Sequence, residues 1–207
     1  PEARLMWYPE KKEGNTYTIP EGTLAIDSYA FYNSQHLKQV IFPSSVQYVK
    51  EHAFENCPLG EIAFAEGLIE IQAFAFKNCI SLEQVALPNS LKHIGASAFE
   101  DCTWMESVTL PNQLDSIGKC AFRYCRRLDN ITFPDSLENI GEEAFGWCNM
   151  TKVVLPDGFR RVEAFAFVEC DRLESVTLPE TLVFIGEGAF LLNWELHGIT
   201  LPASVTS

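Results

Sequence analysis

The stretch LKHIGASAFEDCTWMESVTLPNQ, residues 91–113, decides the fold, because nearly the same phrase recurs along the chain. Each copy carries an Ala-Phe pair, and in most copies a cysteine follows the phenylalanine by three residues. The phenylalanine returns at intervals of 22 or 23 residues. A fixed period in this range is typical of a solenoid, in which each repeat forms one coil of a stack. The recurring phenylalanines are Phe31, Phe54, Phe76, Phe99, Phe122, Phe145, Phe167 and Phe190.

An apolar residue followed by proline is the second marker, and it repeats in the same phase. One repeat departs from it, with Ala65 where proline is expected. The complete unit is close to L-x-x-I-G-x-x-A-F-x-x-C-x-x-L-x-x-V-x-L-P-x-x, and it predicts about eight coils of 22–23 residues. The prolines of this column are Pro20, Pro43, Pro88, Pro111, Pro134, Pro156, Pro179 and Pro202.

The segment ESVTLP, residues 106–111, predicts a short strand with one buried face, because polar and apolar residues alternate along it. Proline ends the strand, since it has no N–H to donate. Residues 91–95 predict a second extended piece, and residues 97–102 predict a short helical or 3₁₀ turn that closes the coil. The strand residues expected to point inward are Val85, Leu87, Val108, Leu110, Ile131, Phe133, Val153, Leu155, Val176, Leu178, Ile199 and Leu201.

Two repeats are one residue short, and the missing residue falls after the cysteine in both. Leu59 follows Cys57 by two positions, and Met150 follows Cys148 by two positions, whereas the equivalent distance in the other repeats is three. The segment after the cysteine is therefore predicted to be a loop that tolerates a change in length.

The recurring columns resemble the BspA-like leucine-rich repeats, a family of bacterial and protist cell-surface proteins. The resemblance runs from YTIPEGTLAIDSYAF, residues 17–31, to LPASV, residues 201–205. It implies a single leucine-rich-repeat domain over residues 1–207, a right-handed superhelix with a parallel β-sheet on its concave side. Residues 1–22 resemble the irregular linking coil of that family, and residues 23–207 its regular repeats, cut off in mid-repeat. The family implies a cell-surface or secreted protein that acts in adhesion or host recognition rather than catalysis.

The composition excludes several classes of partner. The formal net charge of −13 is the wrong sign for binding nucleic acid or for a polybasic membrane anchor. The chain has no run of about 20 consecutive apolar residues, the length that spans a bilayer, so no direct membrane insertion is expected. Phosphate-binding, nucleophile-elbow and His-Glu-x-x-His motifs are absent from the sequence, and its four histidines fall in different columns. We therefore predict that the protein is not an enzyme and holds no cofactor or metal.

Six of the seven cysteines share one column of the repeat, where the first and last repeats have Ser34 and Asn193. The favoured interpretation is a column of buried free thiols that satisfy backbone groups in the turn. Parallel Cβ vectors disfavour disulfides between neighbours, and a line of thiols does not converge on a zinc ion. Cys120 stands outside the column and is predicted to be partly exposed, with a reactive thiol as the alternative. The column contains Cys57, Cys79, Cys102, Cys125, Cys148 and Cys170.

The outward strand positions form one candidate surface, which is mildly acidic and rich in Ser and Thr. It is either an ordinary solvated sheet face or a face for a basic or glycan partner. Its residues are Glu61, Glu83, Glu106, Asp129 and Glu174, with Gln84, Ser107, Thr109, Asn130, Thr132, Ser175 and Thr177 beside them.

A cluster of aromatic residues and arginines on the turn edge is the second candidate. Tyr124 and Trp147 stand two residues after the phenylalanine, where most repeats carry Asn, Asp or Glu. Trp104 and Arg127 lie two residues after the cysteine, and Arg123 and Arg126 are in the same region. Trp, Tyr and Arg are the residue types enriched in binding hot spots. The alternative interpretation is local packing between coils through cation–π contacts.

These features predict a non-catalytic binding or adhesion module that recognises a host or matrix protein or a glycan. The alternative is a structural spacer that presents another domain. Because the chain stops in mid-repeat and its first residues lack a polar cap, we expect the native protein to continue on at least one side or to pair with another copy.

Overall fold

Short parallel strands make up the regular structure of the chain. The computed structural model describes residues 3–7, 14–129 and 131–205. These residues form a parallel β-solenoid of about eight turns, as the repeat predicts, and no helix occurs among them. Each regular coil contributes one strand to a long sheet and, in most coils, a second strand to a shorter sheet.

The long sheet has nine strands of two residues, which pair in the order of the coils. It is built by the second extended piece of the repeat, such as residues 93–94, rather than by the ESVTLP segment. Its strands are β1 (Arg4–Leu5), β3 (Ala25–Ile26), β5 (Tyr48–Val49), β7 (Glu70–Ile71), β9 (His93–Ile94), β11 (Ser116–Ile117), β12 (Asn139–Ile140), β14 (Arg161–Val162) and β16 (Phe184–Ile185).

The ESVTLP segments form the predicted strands, but these are divided among three small sheets. Residues 131–133 are not part of a strand, and the adjacent Asn130 lies outside the described residues. The strands are β2 (Thr16–Thr18), β4 (Gln39–Ile41) and β6 (Glu61–Ala63) in one sheet, β8 (Gln84–Ala86) and β10 (Ser107–Thr109) in the second, and β13 (Lys152–Val154) and β15 (Ser175–Thr177) in the third.

The strands pair with the repeat in register, so that equivalent residues lie above one another. Val108 pairs with Val85 in the small sheet, and Ile117 pairs with Ile94 in the long one. Within residues 1–22, β1 and β2 pair in the same manner with β3 and β4. Columns of the sequence therefore become columns of the surface and of the core.

The turn around the Ala-Phe pair is not the predicted helical or 3₁₀ turn. Two residues in each coil have left-handed backbone angles, at positions two before and two after the phenylalanine; in the fourth coil they are Ser97 (φ 53°) and Asp101 (φ 60°). A residue with positive φ interrupts any run of right-handed helical angles. The prediction was wrong because the hydrophobic period does not reveal these two reversals.

The two reversals let the turn form hydrogen bonds alternately within its coil and with the next coil. The N–H of Ala98 donates to the carbonyl of Gly95, and that of Glu100 donates to the carbonyl of Ser97. The intervening N–H group of Phe99 donates to the carbonyl of Ala121 in the next coil, at 2.8 Å. Backbone donors in a buried turn need such partners, and here the neighbouring coil supplies half of them.

The phenylalanine column forms a continuous stack of rings through the core. Neighbouring rings from Phe76 to Phe145 are 5.3 Å apart and within 6° of parallel. These rings are fully buried. Parallel rings at this spacing are offset, which is a favourable arrangement for aromatic pairs and adds to the hydrophobic stabilisation.

The residues predicted to point inward do so along most of the stack. Val85, Val108 and Val153 are buried, as are the leucines or phenylalanine two positions later in each of those segments and in residues 131–133. Val176, Leu178 and Ile199 are only partly buried. Leu201 is 60% exposed, so the prediction was wrong for this residue. In the described structure no further coil covers it.

The two short repeats lose one turn, as their length predicts. In a full-length coil the N–H of the leucine donates to the carbonyl of the cysteine, as Leu82 does to Cys79 at 3.1 Å. Residues 57–59 and 148–150 have no such turn and pass directly into the next segment.

Replacement of Phe99 by alanine should lower the free energy of unfolding by about 3–5 kcal/mol, because it leaves a cavity between the buried rings of Phe76 and Phe122. Phe190→Ala is the matched control, since Phe190 stacks on Phe167 but remains partly exposed. It should cost less than half as much. Urea unfolding followed by circular dichroism measures both. Equal losses would contradict a ring stack whose contribution depends on burial.

Candidate functional site

The structure brings Tyr124 and Trp147 together on the turn edge. Both occupy the left-handed position two residues after the phenylalanine, with φ values of 62° and 59°. Their ring centroids are 4.7 Å apart, and the indole Nε1 of Trp147 donates a hydrogen bond to Glu169 Oε2 at 2.9 Å. Both side chains are partly exposed.

Two arginines lie against these aromatic rings and the neighbouring tryptophan. The guanidinium carbon of Arg126 is 5.3 Å from the centre of the Tyr124 ring. That of Arg127 is 3.8 Å from the Trp104 ring, and Trp104 is 48% exposed. Because Arg126 and Arg127 are consecutive, the predicted residues lie side by side on the surface, here called the turn-edge patch, made of Trp104, Tyr124, Arg126, Arg127 and Trp147. The cation–π contacts within it agree with either interpretation, a binding surface or local packing between coils.

Arg123, the sixth predicted residue, is held in a network of ion pairs. It contacts the Tyr124 ring at 5.4 Å, but its guanidinium donates to Glu100 and to Glu143. Lys77 approaches the same Glu100 at 2.8 Å from the other side. Arg123 is paired with these two carboxylates and supports the Tyr124 ring from the buried side of the patch. Arg126 and Arg127, in contrast, are exposed.

Glu100 is the central member of this network and was missed by the sequence analysis. Its side chain is almost fully buried, at 2% exposure of the residue. Burial alone would raise the pKa of its carboxyl, but hydrogen bonds from Lys77 and Arg123 outweigh this effect and the pKa is lowered. Glu100 stands directly after the phenylalanine, where charged residues of both signs alternate between repeats; that column of Glu55, Lys77, Glu100 and Arg123 was the available signal.

The backbone conformation of Tyr124 and Trp147 is costly for these residue types. A left-handed residue with a Cβ loses roughly 1–2 kcal/mol, and Asn and Asp are the residues that tolerate it best. The same column contains Asn56, Asn78 and Asp101, which fit this preference. Every coil, however, places residues with a Cβ in this conformation, among them Glu169 and Leu192 in the same column, so the strain belongs to the repeat and does not single out Tyr124 and Trp147.

A second set of stacked rings lies on the same edge at the other end of the solenoid. Tyr29, His52 and Phe74 occupy the left-handed position before the phenylalanine, with centroids 4.7 Å apart and rings within 8° of parallel. His52 pairs with Glu55, and Lys77 lies over the Phe74 ring. The repeat pattern does not reveal this ladder, because its members share only their place in the repeat.

The acidic strand face is exposed, as predicted, although Asp129 is only partly so. Two hollows of about 430 and 360 Å³ lie on either side of Thr132, where the small sheets are interrupted. The predicted Asn130 lies outside the described residues. The exposed residues of this face agree with either interpretation, a solvated surface or a binding face. The larger hollow is lined by Ile131, Thr132, Phe133, Asp135, Lys152, Val154 and Pro156.

The cysteine column satisfies backbone carbonyls, in agreement with the favoured interpretation. Each thiol donates to the carbonyl of the phenylalanine in the preceding coil, as Cys102 does to Phe76 at 3.3 Å. Asn193 repeats the contact with its amide, which donates to Phe167 at 3.0 Å. All six thiols are buried and free, and burial raises their pKa values, to about 12 for Cys57 and Cys170. The remaining contacts are Cys57 to Phe31, Cys79 to Phe54, Cys125 to Phe99, Cys148 to Phe122 and Cys170 to Phe145.

Cys120 is buried, at 4% exposure, so the prediction of a partly exposed thiol was wrong. It lies in the left-handed column before the phenylalanine, where the long side chains of Arg123 and Glu143 cover it. Burial also raises its pKa, which disfavours a reactive thiolate.

The described residues contain no group of three or more His, Cys, Asp or Glu side chains that could hold a metal ion. Three of the histidines, His36, His93 and His197, are exposed in separate coils. Nor does this part of the chain contain a helix long and apolar enough to cross a membrane.

A comparison with known protein families identifies the same repeats. A family model described as BspA type leucine rich repeat region matches in six copies, over residues 10–126 and 92–207. No curated protein matches the chain at a significant level.

Solved structures with a similar fold come from several bacteria. The T. pallidum leucine rich repeat protein TpLRR is 27% identical, with a TM-score of 0.67 over 93% of this chain and 82% of that one. A leucine rich cell surface protein from Faecalibacterium prausnitzii is 26% identical, with a TM-score of 0.60 over 89% of this chain and 59% of that one. The pneumococcal vaccine antigen PcpA shares the fold at 21% identity and a TM-score of 0.60, over 99% of this chain and 70% of that one.

The raised thiol pKa predicts a loss of stability at alkaline pH. As the pH rises, the unfolded chain loses its Cys57 proton near the ordinary value of about 8.5, whereas the folded chain keeps it until about pH 12. The parent should therefore lose about 1.4 kcal/mol per pH unit in this window relative to Cys57→Ser, whose hydroxyl does not titrate there. Ser34 already fills the same column. Urea unfolding at pH 7.5, 9 and 10 tests this, and parallel pH profiles for the two proteins would refute it.

Glu100→Gln should lower the free energy of unfolding by about 2 kcal/mol at pH 7, because hydrogen bonds to a charged group are lost. Since the pKa of Glu100 is lowered, its contribution is present above the ordinary value of about 4.3 and disappears as the pH falls through the folded-state value. The variant should therefore lose less stability on acidification than the parent. Glu142→Gln is the control, because its pair with Lys119 is exposed and should contribute little to stability. Similar effects of both changes would count against a special role for Glu100.

Proposed function

Because the chain belongs to the BspA type leucine rich repeat family, we propose that it is a non-catalytic cell-surface or secreted binding module. The family and its solved relatives point to a protein-interaction or surface role. The proposed partner is a host or matrix protein, which presents an acidic segment to the turn-edge patch. The single observation that carries this proposal is the clustering of the exposed Trp104, Arg126 and Arg127 with the partly exposed rings of Tyr124 and Trp147.

The two exposed arginines of the patch are the groups proposed to contact an acidic partner, although the carboxylates of Asp101, Glu106 and Glu169 lie beside the patch. The chain as a whole carries a formal charge of −13, yet two exposed arginines lie side by side here. No ion pair of Arg126 occurs among the described residues, and Arg127 approaches Glu106 only at 3.4 Å with both side chains about half exposed. Such an exposed pair contributes little and can be exchanged for a partner's carboxylate. A carboxylate accepts two parallel hydrogen bonds from a guanidinium group, which adds geometric specificity.

The aromatic rings supply the remaining part of the proposed interface. Trp and Tyr offer a large contact area with few rotatable bonds, and Tyr124 is further restrained by Trp147 and Arg126. Glu169 fixes the indole of Trp147 through its Nε1. The rings therefore need little ordering when a partner binds, which lowers the entropic cost of association.

The alternative function is a structural spacer that holds another domain away from the surface. A spacer needs the coil-to-coil packing but has no use for the turn-edge patch. The two functions therefore differ in what happens when the patch is removed from a folded chain.

The test is binding of the chain to immobilised matrix proteins and to a polyglutamate peptide, by biolayer interferometry at low and physiological salt. The first variant combines Tyr124→Asn with Trp147→Asn, because Asn56 and Asn78 show that asparagine fits this column. The second combines Arg126→Gln with Arg127→Gln. We expect each double variant to bind at least about tenfold more weakly, equivalent to about 1.4 kcal/mol.

Tyr29→Asn is the matched control, since it removes an exposed aromatic residue with the same backbone conformation (φ 62°) from a distant coil. It should bind as the parent does. Thermal unfolding should place all variants within a few degrees of the parent, because relief of strain offsets the lost ring contacts. Binding that survives both double variants would move the site elsewhere, and failure of the parent to bind any probe would favour the spacer.

A further inference from the structure

The first short repeat leaves a hollow on the turn edge of the first to third coils. Residues 57–59 lack the turn that the coils on either side form at residues 35–36 and 80–81. The missing turn opens a space of about 220 Å³ between its neighbours. This space, here called the amide hollow, is lined chiefly by Asn33, Gln35, Asn56, Pro58, Asn78 and Ile80.

The chemistry of the amide hollow is unlike that of the surrounding surface. Four of its lining residues carry side-chain amides, and none carries a charge, although 21% of the residues in the chain are charged. Ile80 is 47% exposed at its edge, and Pro58 is partly buried within it. A neutral, amide-lined hollow with an apolar border does not select for an ion. It suits a ligand that has several hydroxyl groups and an apolar face.

The amides are held in fixed positions by the backbone and by one another. Asn33, Asn56 and Asn78 all lie in the left-handed column, with φ values of 60°, 61° and 58°. The Nδ2 group of Asn78 donates to Asn56 Oδ1 at 2.8 Å. Gln35 Nε2 donates to Asn33 Oδ1 at 2.8 Å and to the Asn56 carbonyl at 3.0 Å.

These contacts leave part of the hydrogen-bonding capacity of the amides available to a ligand. Each side-chain amide has two N–H donors and an oxygen with two lone pairs. Asn33 and Asn78 are exposed, so the remaining donors and acceptors of these two residues face solvent. A pre-ordered set of donors and acceptors binds adjacent hydroxyl groups at a reduced entropic cost.

We propose that the amide hollow is a binding site for a neutral sugar residue. Its volume is below the ~300–1,000 Å³ of typical ligand pockets, which fits a single ring better than an extended chain. Ring hydroxyls pair with the amides, and an apolar face of the ring packs on Ile80 and Pro58. The site is separate from the turn-edge patch and does not depend on the acidic partner proposed for it.

The test is saturation-transfer NMR on the full chain with a panel of neutral methyl glycosides, hexoses and N-acetylhexosamines, at low and high salt. The parent should bind at least one of them, and salt should have little effect because no charge is involved. The test variant combines Asn33→Asp with Asn78→Asp, two exposed amides in coils that are not adjacent. Asp101 occupies the same column with the same backbone angle, so this variant is expected to fold. Loss of the amide N–H donors should weaken binding by about tenfold or more.

A one-residue insertion between Cys57 and Leu59 provides a second, independent variant, since it restores the missing turn and fills the hollow. The same insertion between Cys148 and Met150, in the other short repeat, is its matched control and should leave sugar binding unchanged. The proposal is overturned if no glycoside in the panel binds the parent, or if the double aspartate variant binds as well as the parent. Binding of uncharged peptides in place of sugars would also overturn it.

Discussion

The hydrogen bonding of the Ala-Phe turn is the constraint on which the rest of the structure depends. Alternate N–H groups in this turn must reach the next coil, as Phe99 reaches Ala121, while the others close the turn itself. Two left-handed residues per coil make this alternation geometrically feasible. The spacing between coils is then fixed by backbone hydrogen bonds in the turn and in the long sheet, and in the small sheets where these are continuous. An added Cβ at Gly141 would come within 2.5 Å of the Lys119 backbone nitrogen, which shows how closely the coils approach there.

The buried columns follow from that spacing. Phenylalanine rings at equivalent positions are brought into stacking distance, and each column thiol is placed beside the phenylalanine carbonyl of the preceding coil. A thiol is a weak donor, but it is small enough for a position that asparagine also fills at Asn193. The cysteines are therefore part of the hydrogen-bonding of the core. Their chemistry as nucleophiles is suppressed by the same burial that makes this contact.

The surface acquires its variety where single coils depart from the repeat. One departure is a change of residue type, as at Tyr124 and Trp147, where aromatic rings replace the asparagines that suit the backbone. The other is a change of length, as at residues 57–59, where a missing turn opens the amide hollow. Both departures leave the hydrogen bonds between coils intact. A solenoid can therefore vary its binding surface one coil at a time, without a change in its core.

The sequence by itself determined the solenoid, its period, the buried phenylalanine and cysteine columns and the position of the two shortened coils. Those features follow from the period of the apolar residues, which every coil obeys. It also identified the aromatic and arginine residues of the turn-edge patch, because Tyr124 and Trp147 depart from a column that is mostly Asn, Asp or Glu and the arginines lie in the same region.

The tertiary structure decided what the period does not encode. Left-handed residues occupy the turn where a helical turn was expected. The long sheet is formed by residues 93–94 and their equivalents in the other coils, and not by the ESVTLP segments. Only side-chain contacts across coils could separate Arg123, which is bound to Glu100 and Glu143, from the exposed Arg126 three residues later. Burial of Cys120 likewise depends on long side chains from its own and the next coil. A repeat pattern fixes which residues are stacked, but the partners of each polar group depend on the distances between coils, and these exist only in the folded chain.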